Sequence, residues 1–222
     1  MKGKLYGIGV GPGDPELLTI KAIRVLEEVD LVVVPKGGEE SLAYHVVKPY
    51  LQKMVLFLPF AMNEWESKGG EFKSGITQIR EFLAEGKKVA FVTLGDPLLY
   101  STFVILWRLF PEVEVEIIPG VSSFQAAAAR LQLPLAQGKE HVAILSGENF
   151  AEDVLDFFES VVVFKANRKY SLICEVLQRK GFSGGLVSRL GWKEEVVSTD
   201  LECFQNQELD YFSILLARKR KS

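Results

Sequence analysis

The chain has 222 residues, of which 48% are hydrophobic and 25% charged, and its formal net charge is −3. The length suffices for one large α/β domain or two domains of about 100 residues each, and the composition excludes a disordered chain. The negative charge gives no overall attraction for nucleic acid, and the short basic run at 218–221 is interpreted as a solvated tail.

Few residues could serve metal or redox chemistry. Cys174 and Cys203 form no C-x-x-C pair, and His45 and His141 are the only histidines, so a metal site built by the protein is not expected. The chain enters a strand without the apolar region of a signal peptide, and no apolar run approaches 18 residues. We therefore expect a cytoplasmic protein without a membrane span.

The first predicted element is a strand over 4–10 that runs into a glycine-rich loop and then a helix. The loop reads Gly-Ile-Gly-Val-Gly-Pro-Gly-Asp-Pro over 7–15, and apolar residues recur at helical spacing behind it, at Leu18, Ala22, Val25 and Val29. Asp14 is predicted to cap this helix, with Pro15 at its first position, where no N–H is missed.

Such a loop first suggests dinucleotide binding, which requires the spacing G-x-G-x-x-G. Counting from Gly7, Gly9 or Gly11 puts Pro12, Asp14 or Glu16 where the third glycine belongs. The acidic ribose ligand is also missing, because Asp30 lies before the second strand and not at its end. Four glycines still exceed what a tight turn needs, so we interpret the loop as a surface against which a large ligand lies.

The rest of the first half alternates strands and helices. Strands are predicted at 31–34, 55–58, 88–93 and 113–118, and helices near 41–50, 76–86 and 98–110. The second strand is entirely apolar, as is typical of parallel strands covered on both faces. A second Gly-Asp-Pro follows the fourth strand at 95–97, so two helix N-termini are expected at the edge where open α/β sheets bind ligands.

A domain hinge is placed at Pro119-Gly120, because the pattern changes beyond it. Helices are expected at 125–131, 151–158 and 171–180, and strands at 141–145, 161–165, 185–188, 194–199 and 212–217. Strands that follow one another without helices predict antiparallel pairing. The expected fold is two α/β domains, 1–119 with a mostly parallel sheet and 120–222 with a mixed sheet, and an active-site cleft between them.

Three segments together carry a family resemblance. They are Gly-Val-Gly-Pro-Gly-Asp-Pro-Glu-Leu-Leu-Thr at 9–19, Leu-Gly-Asp-Pro at 94–97, and Ile-Pro-Gly-Val-Ser-Ser-Phe-Gln-Ala-Ala-Ala at 118–128. In order and spacing they resemble the tetrapyrrole (corrin/porphyrin) methylases over essentially the whole chain. Within that superfamily, 95–103 and 120–135 look most like precorrin-2 C20-methyltransferases.

The resemblance implies a cytoplasmic homodimer that uses S-adenosylmethionine and releases S-adenosylhomocysteine. The implied reaction is methylation of C20 of precorrin-2 or cobalt-factor II, giving precorrin-3A or cobalt-factor III, in cobalamin biosynthesis. Cobalt would arrive inside this small-molecule tetrapyrrole, and neither nucleic acid nor a membrane is an expected partner. Methyl transfer from a sulfonium to an electron-rich carbon needs alignment and exclusion of water more than a protein nucleophile.

Site residues follow from the same resemblance. The first glycine loop lines the tetrapyrrole trough, at Gly9, Gly11, Pro12 and Gly13. Cofactor contacts are expected from Pro12, Leu94, Gly95, Asp96, Leu99, Thr102, Ser122, Ser123, Lys165, Leu190 and Ser213. Asp14, Asp96 and Tyr100 are candidates for removing the C20 proton. Lys21, Lys36, Arg168 and Arg189 are candidates for binding substrate carboxylates.

At one position this chain differs from some members of the family, and the difference bears on the substrate. Relatives that methylate uroporphyrinogen III carry an aspartate, proposed as a base, at the end of the second strand, where this chain has Pro35. That reaction is therefore disfavoured.

Other functions stay open at this point. A methylase of the same fold could act on another tetrapyrrole or on a different acceptor, such as diphthamide or ribosomal RNA, although RNA would favour a basic surface. A non-catalytic tetrapyrrole or nucleotide carrier would bind its ligand without turnover. A nicotinamide enzyme is more distant, since the fingerprint fails.

Overall fold

The computed structural model describes residues 3–36, 41–60, 69–201 and 209–220. The chain divides into two compact units, 1–122 and 123–222. Pro119-Gly120, the predicted hinge, thus lies three residues before the division, and Gly120 to Ser122 belong to the first unit. Cys203 lies outside the described residues.

The first unit is a parallel α/β unit. Its elements are β1 (Lys4–Gly9), α1 (Ile20–Glu28), β2 (Leu31–Lys36), α2 (Leu42–Val47), β3 (Met54–Pro59), α3 (Gly70–Ala84), β4 (Lys88–Thr93), α4 (Phe103–Trp107) and β5 (Glu114–Ile118). The five strands are all parallel, in the order β3-β2-β4-β1-β5.

Helices cover both faces of this sheet. Ile8 and Val32 belong to a core that α1 and α2 close, whereas Leu5 and Val33 belong to a second core, closed by α3 and α4. Alternate strand residues thus enter opposite cores. This two-sided burial explains why β2 begins with an unbroken apolar run, as the sequence predicted.

The second unit has a mixed sheet, also as predicted. Its elements are α5 (Ser123–Leu131), β6 (Val142–Ser146), β7 (Ser160–Phe164), α6 (Tyr170–Arg179), β8 (Phe182–Ser188), β9 (Val196–Ser198) and β10 (Ser213–Lys219). In the order β6-β7-β10-β8-β9, only β6 and β7 pair in parallel. On one face α6 packs with Ile173 and Leu177, and α5 lies against β8 and β10.

Three predictions about elements were wrong. The helix expected over 98–110 begins only at Phe103, and the one expected near 151–158 is a 3₁₀ turn, Glu152–Asp156. The basic run is not simply a solvated tail, because Arg218 and Lys219 lie in β10 and Arg218 pairs with the mostly buried Glu140.

Two lysines keep the side chain of Glu116, in β5, in its charged carboxylate form. Lys21 Nζ lies 2.6 Å from Oε1 and Lys4 Nζ lies 2.9 Å from Oε2. Their hydrogen bonds, that of Lys21 foremost, lower the pKa of Glu116 from 4.5 to about 2. Because the folded pKa is the lower one, this carboxylate stabilises the fold above the unfolded pKa, and the contribution is lost as the pH falls.

We therefore expect the midpoint of thermal unfolding to fall less in Glu116→Gln than in the native chain between pH 4.5 and about pH 2. Circular-dichroism melts across that window make the measurement. Equal falls for the two proteins would show that the lysines do not stabilise this carboxylate in solution.

Candidate functional site

Two loops follow adjacent strands at the carboxyl edge of the first sheet. β1 and β4 are neighbours, but the chain leaves β1 for β2, on the far side of β4, and leaves β4 for β5, on the far side of β1. The two connections therefore run in opposite directions and lie on opposite faces of the sheet, since α1 and α4 belong to different cores. Ligands of open α/β sheets bind where adjacent strands have such opposite connections. The prediction that the two Gly-Asp-Pro loops share this edge is confirmed.

The main chains of the two loops are hydrogen-bonded and closely packed. The N–H of Gly95 donates to the carbonyl of Gly11 over 2.8 Å, forming an isolated antiparallel bridge. A Cβ on Gly9 would lie 2.5 Å from the nitrogen of Gly120 and 2.6 Å from the carbonyl oxygen of Gly95. Loops after β1, β4 and β5 thus meet backbone against backbone, which only glycine permits.

This packing changes the interpretation of the glycines. A Cβ on Gly7 would enter the ring of Phe103, and one on Gly9 would strike the next loops, so internal contacts account for both. Gly11 and Gly13 instead have φ of 76° and 156°, which L side chains rarely adopt. The trough prediction consequently rests on Gly11, Pro12 and Gly13, while Gly9 is explained without a ligand.

Asp14 does not cap α1 as predicted. Asp14 Oδ1 accepts from Glu16 N–H at 2.8 Å and opens a 3₁₀ turn, Pro15–Leu17. Leu18 is extended, and α1 begins afresh with Thr19 as its cap, Oγ1 accepting from Ala22 N–H at 3.1 Å. The extended Leu18 is what separates Asp14 from the helix.

Asp96 makes a local turn and a long-range bond. Oδ1 accepts from the N–H of Leu98 at 2.9 Å, and Oδ2 accepts from the N–H of Gly120 at 3.2 Å. The chain then turns rather than entering a helix, because Tyr100 has φ of 50°. Leu94, Gly95, Asp96, Leu99 and Thr102, the predicted cofactor contacts of this segment, lie together in this one loop.

The far end of the same loop is held by hydroxyl groups. Ser101 Oγ donates to Thr93 Oγ1 at 3.1 Å and accepts from the N–H of Phe103 at 3.0 Å, which starts α4. Tyr100, just before it, is 52% exposed. A left-handed aromatic residue between two anchored ends indicates a strained segment of the kind found at functional sites. Sequence reasoning missed Thr93 and Ser101, although both flank a predicted site.

Three of the predicted residues of the second unit also share one edge. Ser213 pairs with Ser188, and Ile214 with Phe164, so the ends of β7 and β8 and the start of β10 coincide. This edge carries three of the predicted contacts, Lys165, Leu190 and Ser213. Ser123 lies apart from them in sequence, at the start of α5.

Each residue of this edge has a distinct environment. Lys165 has φ of 53°, and its Nζ lies 5.4 Å from the ring centroid of Tyr211. Ser213 is 1% exposed and donates to Ser188 Oγ at 3.0 Å. Leu190 is buried too. Among these, Tyr211 and Ser188 are positions that sequence reasoning did not single out.

Two of the four basic candidates already have acidic partners. Lys21 pairs with Glu116, and Arg189 pairs with Asp210 at 2.8 Å. The hydrogen bond that Arg189 donates to the Asp210 carboxylate raises the pKa of Arg189. Lys36 ends β2 at the carboxyl edge and is exposed, whereas the side chain of Arg168 lies outside the described residues. Lys36 is therefore the better placed of the candidates for a substrate carboxylate.

The described residues offer neither a metal site nor a reactive thiol. No cluster of three or more His, Cys, Asp or Glu residues there could hold a metal ion. Burial raises the pKa of the Cys174 thiol to about 11, so it is a poor nucleophile. None of the helices in these same ranges is long and apolar enough to cross a membrane.

Comparison with known proteins agrees with this geometry. The family model of the tetrapyrrole (corrin/porphyrin) methylases matches residues 4–204. A probable cobalt-precorrin-2 C(20)-methyltransferase of Methanocaldococcus jannaschii is 36% identical, over 98% of this chain and 97% of its own. The cobalt-precorrin-2 C(20)-methyltransferase of Salmonella typhimurium is 33% identical over 99% and 98%, and the precorrin-2 C(20)-methyltransferase of a Sinorhizobium species is 30% identical over 96% and 94%.

Solved structures show the same fold. A cobalt precorrin-4 methyltransferase superposes with a TM-score of 0.77 at 23% identity, covering 97% of this chain and 94% of the other. A uroporphyrin-III C-methyl transferase from Thermus thermophilus, complexed with S-adenosylhomocysteine, gives 0.70 at 23% identity, covering 97% of each chain. The matched segments, the parallel sheet with its glycine loops and these comparisons agree, and the chain belongs to the tetrapyrrole (corrin/porphyrin) methylase family.

Proposed function

We propose that this chain is an S-adenosylmethionine-dependent methyltransferase that methylates C20 of precorrin-2 or of its cobalt complex, in cobalamin biosynthesis. The observation that carries the proposal is similarity at 30–36% identity, over nearly the whole of both chains, to three relatives named for this reaction. Two of the three are named for the cobalt complex, which makes that complex the first acceptor to test.

The carboxyl edge of the first sheet fits the cofactor. Three glycine-bearing loops meet there without side chains between them, and the hydroxyl of the buried Ser122 lies two residues after Gly120. When bound, S-adenosylmethionine supplies an electrophilic methyl group on its sulfonium sulfur. We propose that it is held by Pro12, Leu94, Gly95, the main chain of Asp96, Leu99, Thr102 and Ser122. Ser123, Lys165, Leu190 and Ser213 of the second unit are proposed as further contacts.

The protein's contribution to methyl transfer is positional. The loop after β4 is anchored at its start by Asp96 and at its end by Ser101, so its main chain is held in one arrangement before any ligand arrives. Preorganisation of this kind lowers the entropic part of a barrier. Gly11, Pro12 and Gly13 are proposed to face the tetrapyrrole, and Lys36 to meet one of its carboxylates.

One observation argues against methylation of uroporphyrinogen III. Pro35 lies in β2 beside Leu58, at the carboxyl edge of the sheet, where relatives acting on uroporphyrinogen III carry the proposed base. A proline offers no carboxylate at that point. We therefore propose that uroporphyrinogen III is not methylated.

The test is an anaerobic incubation of the purified protein with methyl-labelled S-adenosylmethionine and, in parallel, precorrin-2, cobalt-precorrin-2, cobalt-factor II and uroporphyrinogen III. Mass spectrometry counts the methyl groups, and carbon NMR locates them. One label at C20 is expected, and the acceptor that is used assigns the pathway. Label on uroporphyrinogen III alone would overturn the proposal, and so would binding of S-adenosylhomocysteine without transfer to any acceptor.

Two further properties are proposed on the resemblance. We propose that the protein is a homodimer and that it works in the cytoplasm. Light scattering coupled to size-exclusion chromatography distinguishes a dimer from a monomer. A monomeric mass at micromolar concentration would contradict the first of these.

A further inference from the structure

We propose that Asp96 is a positioning residue whose carboxylate locks the loop after β4 to the loop after β5. In this role it sets the shape of the cofactor loop and takes no proton from the substrate. The inference rests on the proposed function, because it assigns loop 94–102 to S-adenosylmethionine.

The two oxygens of Asp96 have different tasks. The bond from Leu98 N–H to Oδ1 spans two residues and closes a local turn, whereas the bond from Gly120 N–H to Oδ2 joins residues 24 apart. Asp14, in the other Gly-Asp-Pro sequence, makes the equivalent local bond to Glu16 N–H. The bond to a second strand-end loop is what gives Asp96 a role beyond the shared turn.

Close packing around this bond restricts the movement of the loops that it joins. Gly120 lies so near Gly9 and Gly95 that a Cβ on it would overlap the carbonyl oxygen of Gly95, and Gly95 is itself bonded to Gly11. The main chains of three loops therefore have little room to shift independently. Asp96 ties the third of them by a charge-assisted hydrogen bond, which is stronger than a neutral one.

An asparagine at this position cannot make both bonds at once. Its single oxygen can accept from Leu98 or from Gly120, but its NH₂ group then faces the other N–H, and two donors cannot bond. Asp96→Asn therefore loses one of the two bonds while the side chain keeps its size. Asp96→Ser keeps a short acceptor for the local turn and cannot reach Gly120, which makes it a second, independent variant.

The matched control is Asp30→Asn. Asp30 Oδ2 also accepts a backbone N–H from a distant residue, that of Lys88 at 2.8 Å. Asp30 precedes β2 and Lys88 begins β4, so this bond lies at the amino edge of the same sheet. It has the same chemistry as the Asp96 bond, and it lies at the opposite end of the strands from the loops proposed to bind the cofactor.

Three measurements are made on each variant: calorimetric affinity for S-adenosylhomocysteine, single-turnover methyl transfer at saturating S-adenosylmethionine, and hydrogen exchange of the Gly120 amide by NMR. We expect both Asp96 variants to bind about tenfold more weakly, the loss that one well-made hydrogen bond accounts for. Their saturated rate stays within about threefold of the native one, and Gly120 exchanges about tenfold faster in Asp96→Ser, which cannot keep the bond to Gly120. Asp30→Asn binds as the native chain does.

A fall of about 100-fold or more in the saturated rate with unchanged affinity would overturn the proposal, because that is the signature of a lost proton acceptor. Unchanged affinity and unchanged Gly120 exchange would overturn it as well. If the native chain fails to bind S-adenosylhomocysteine, the proposed function fails. Hydrogen exchange of the Gly120 amide in the ligand-free variants still shows whether Asp96 holds the loop after β5.

Discussion

Replacing Gly9 by alanine is expected to lower the free energy of unfolding by about 3 kcal/mol, the upper end of the usual range for overpacking, and to remove binding of S-adenosylhomocysteine. The added Cβ would lie within 2.7 Å of Gly120 N, Gly120 Cα and the carbonyl oxygen of Gly95. All three are main-chain atoms, so no side chain can rotate out of the way. Relief requires the loops after β4 and β5 to move, and these carry the proposed cofactor contacts.

Urea unfolding measures the stability and calorimetry measures the binding. Gly70→Ala is the control, because a Cβ on Gly70, the first residue of α3, meets nothing within 4 Å. That variant should be neutral or up to about 1 kcal/mol more stable. If Gly9→Ala binds the ligand normally, the loops are not packed as described.

Replacing Arg218 by alanine is expected to cost about 3 kcal/mol, because it leaves a buried carboxylate without its cation. The side chains of Arg218 and Glu140 are only 12% and 13% exposed. Arg218 also donates to the carbonyl of Pro134 at 3.0 Å, and Glu140 accepts from the N–H of Gln137 at 2.7 Å. The pair thereby fixes segment 132–141 against β10, within the second unit.

The double variant Arg218→Met with Glu140→Gln tests the physical cause. Without the buried charge, and with the glutamine oxygen still available to Gln137, it should recover more than half of the stability lost by Arg218→Ala. Arg179→Ala is the surface control, since Arg179 and Glu152 are 56% and 38% exposed and exposed pairs contribute about 1 kcal/mol at most. Equal losses for Arg218→Ala and Arg179→Ala would show that burial does not decide the effect.

Features that depend on near neighbours in the chain were predictable. The apolar run Leu31–Val34 indicated a strand buried on both faces, and β2 is one. Alternating strands and helices predicted the parallel sheet, and consecutive strands predicted the mixed one. Glycine spacing alone was enough to reject the dinucleotide fingerprint. The repeated Gly-Asp-Pro segments indicated the carboxyl edge from the sequence alone.

Features that depend on residues far apart in the chain were not predictable. The sequence offered a ligand as the reason for Gly9, whereas its neighbour in space is Gly120, in the loop after β5. It offered cofactor contact and proton removal as roles of Asp96, whereas one oxygen of this carboxylate accepts from Gly120. It left Lys21 available for substrate, although Glu116 already holds it.

The sequence by itself therefore determined the two kinds of sheet, because periodicity is a property of consecutive residues. It also indicated the family and the segments of the candidate site, through the resemblance of three segments to the tetrapyrrole methylases. Only the tertiary structure decided which glycines serve packing, which charges are already paired and which aspartate reaches a second loop. Those outcomes depend on strand order, which places β1 between β4 and β5 and so brings together three loops that the chain itself keeps far apart.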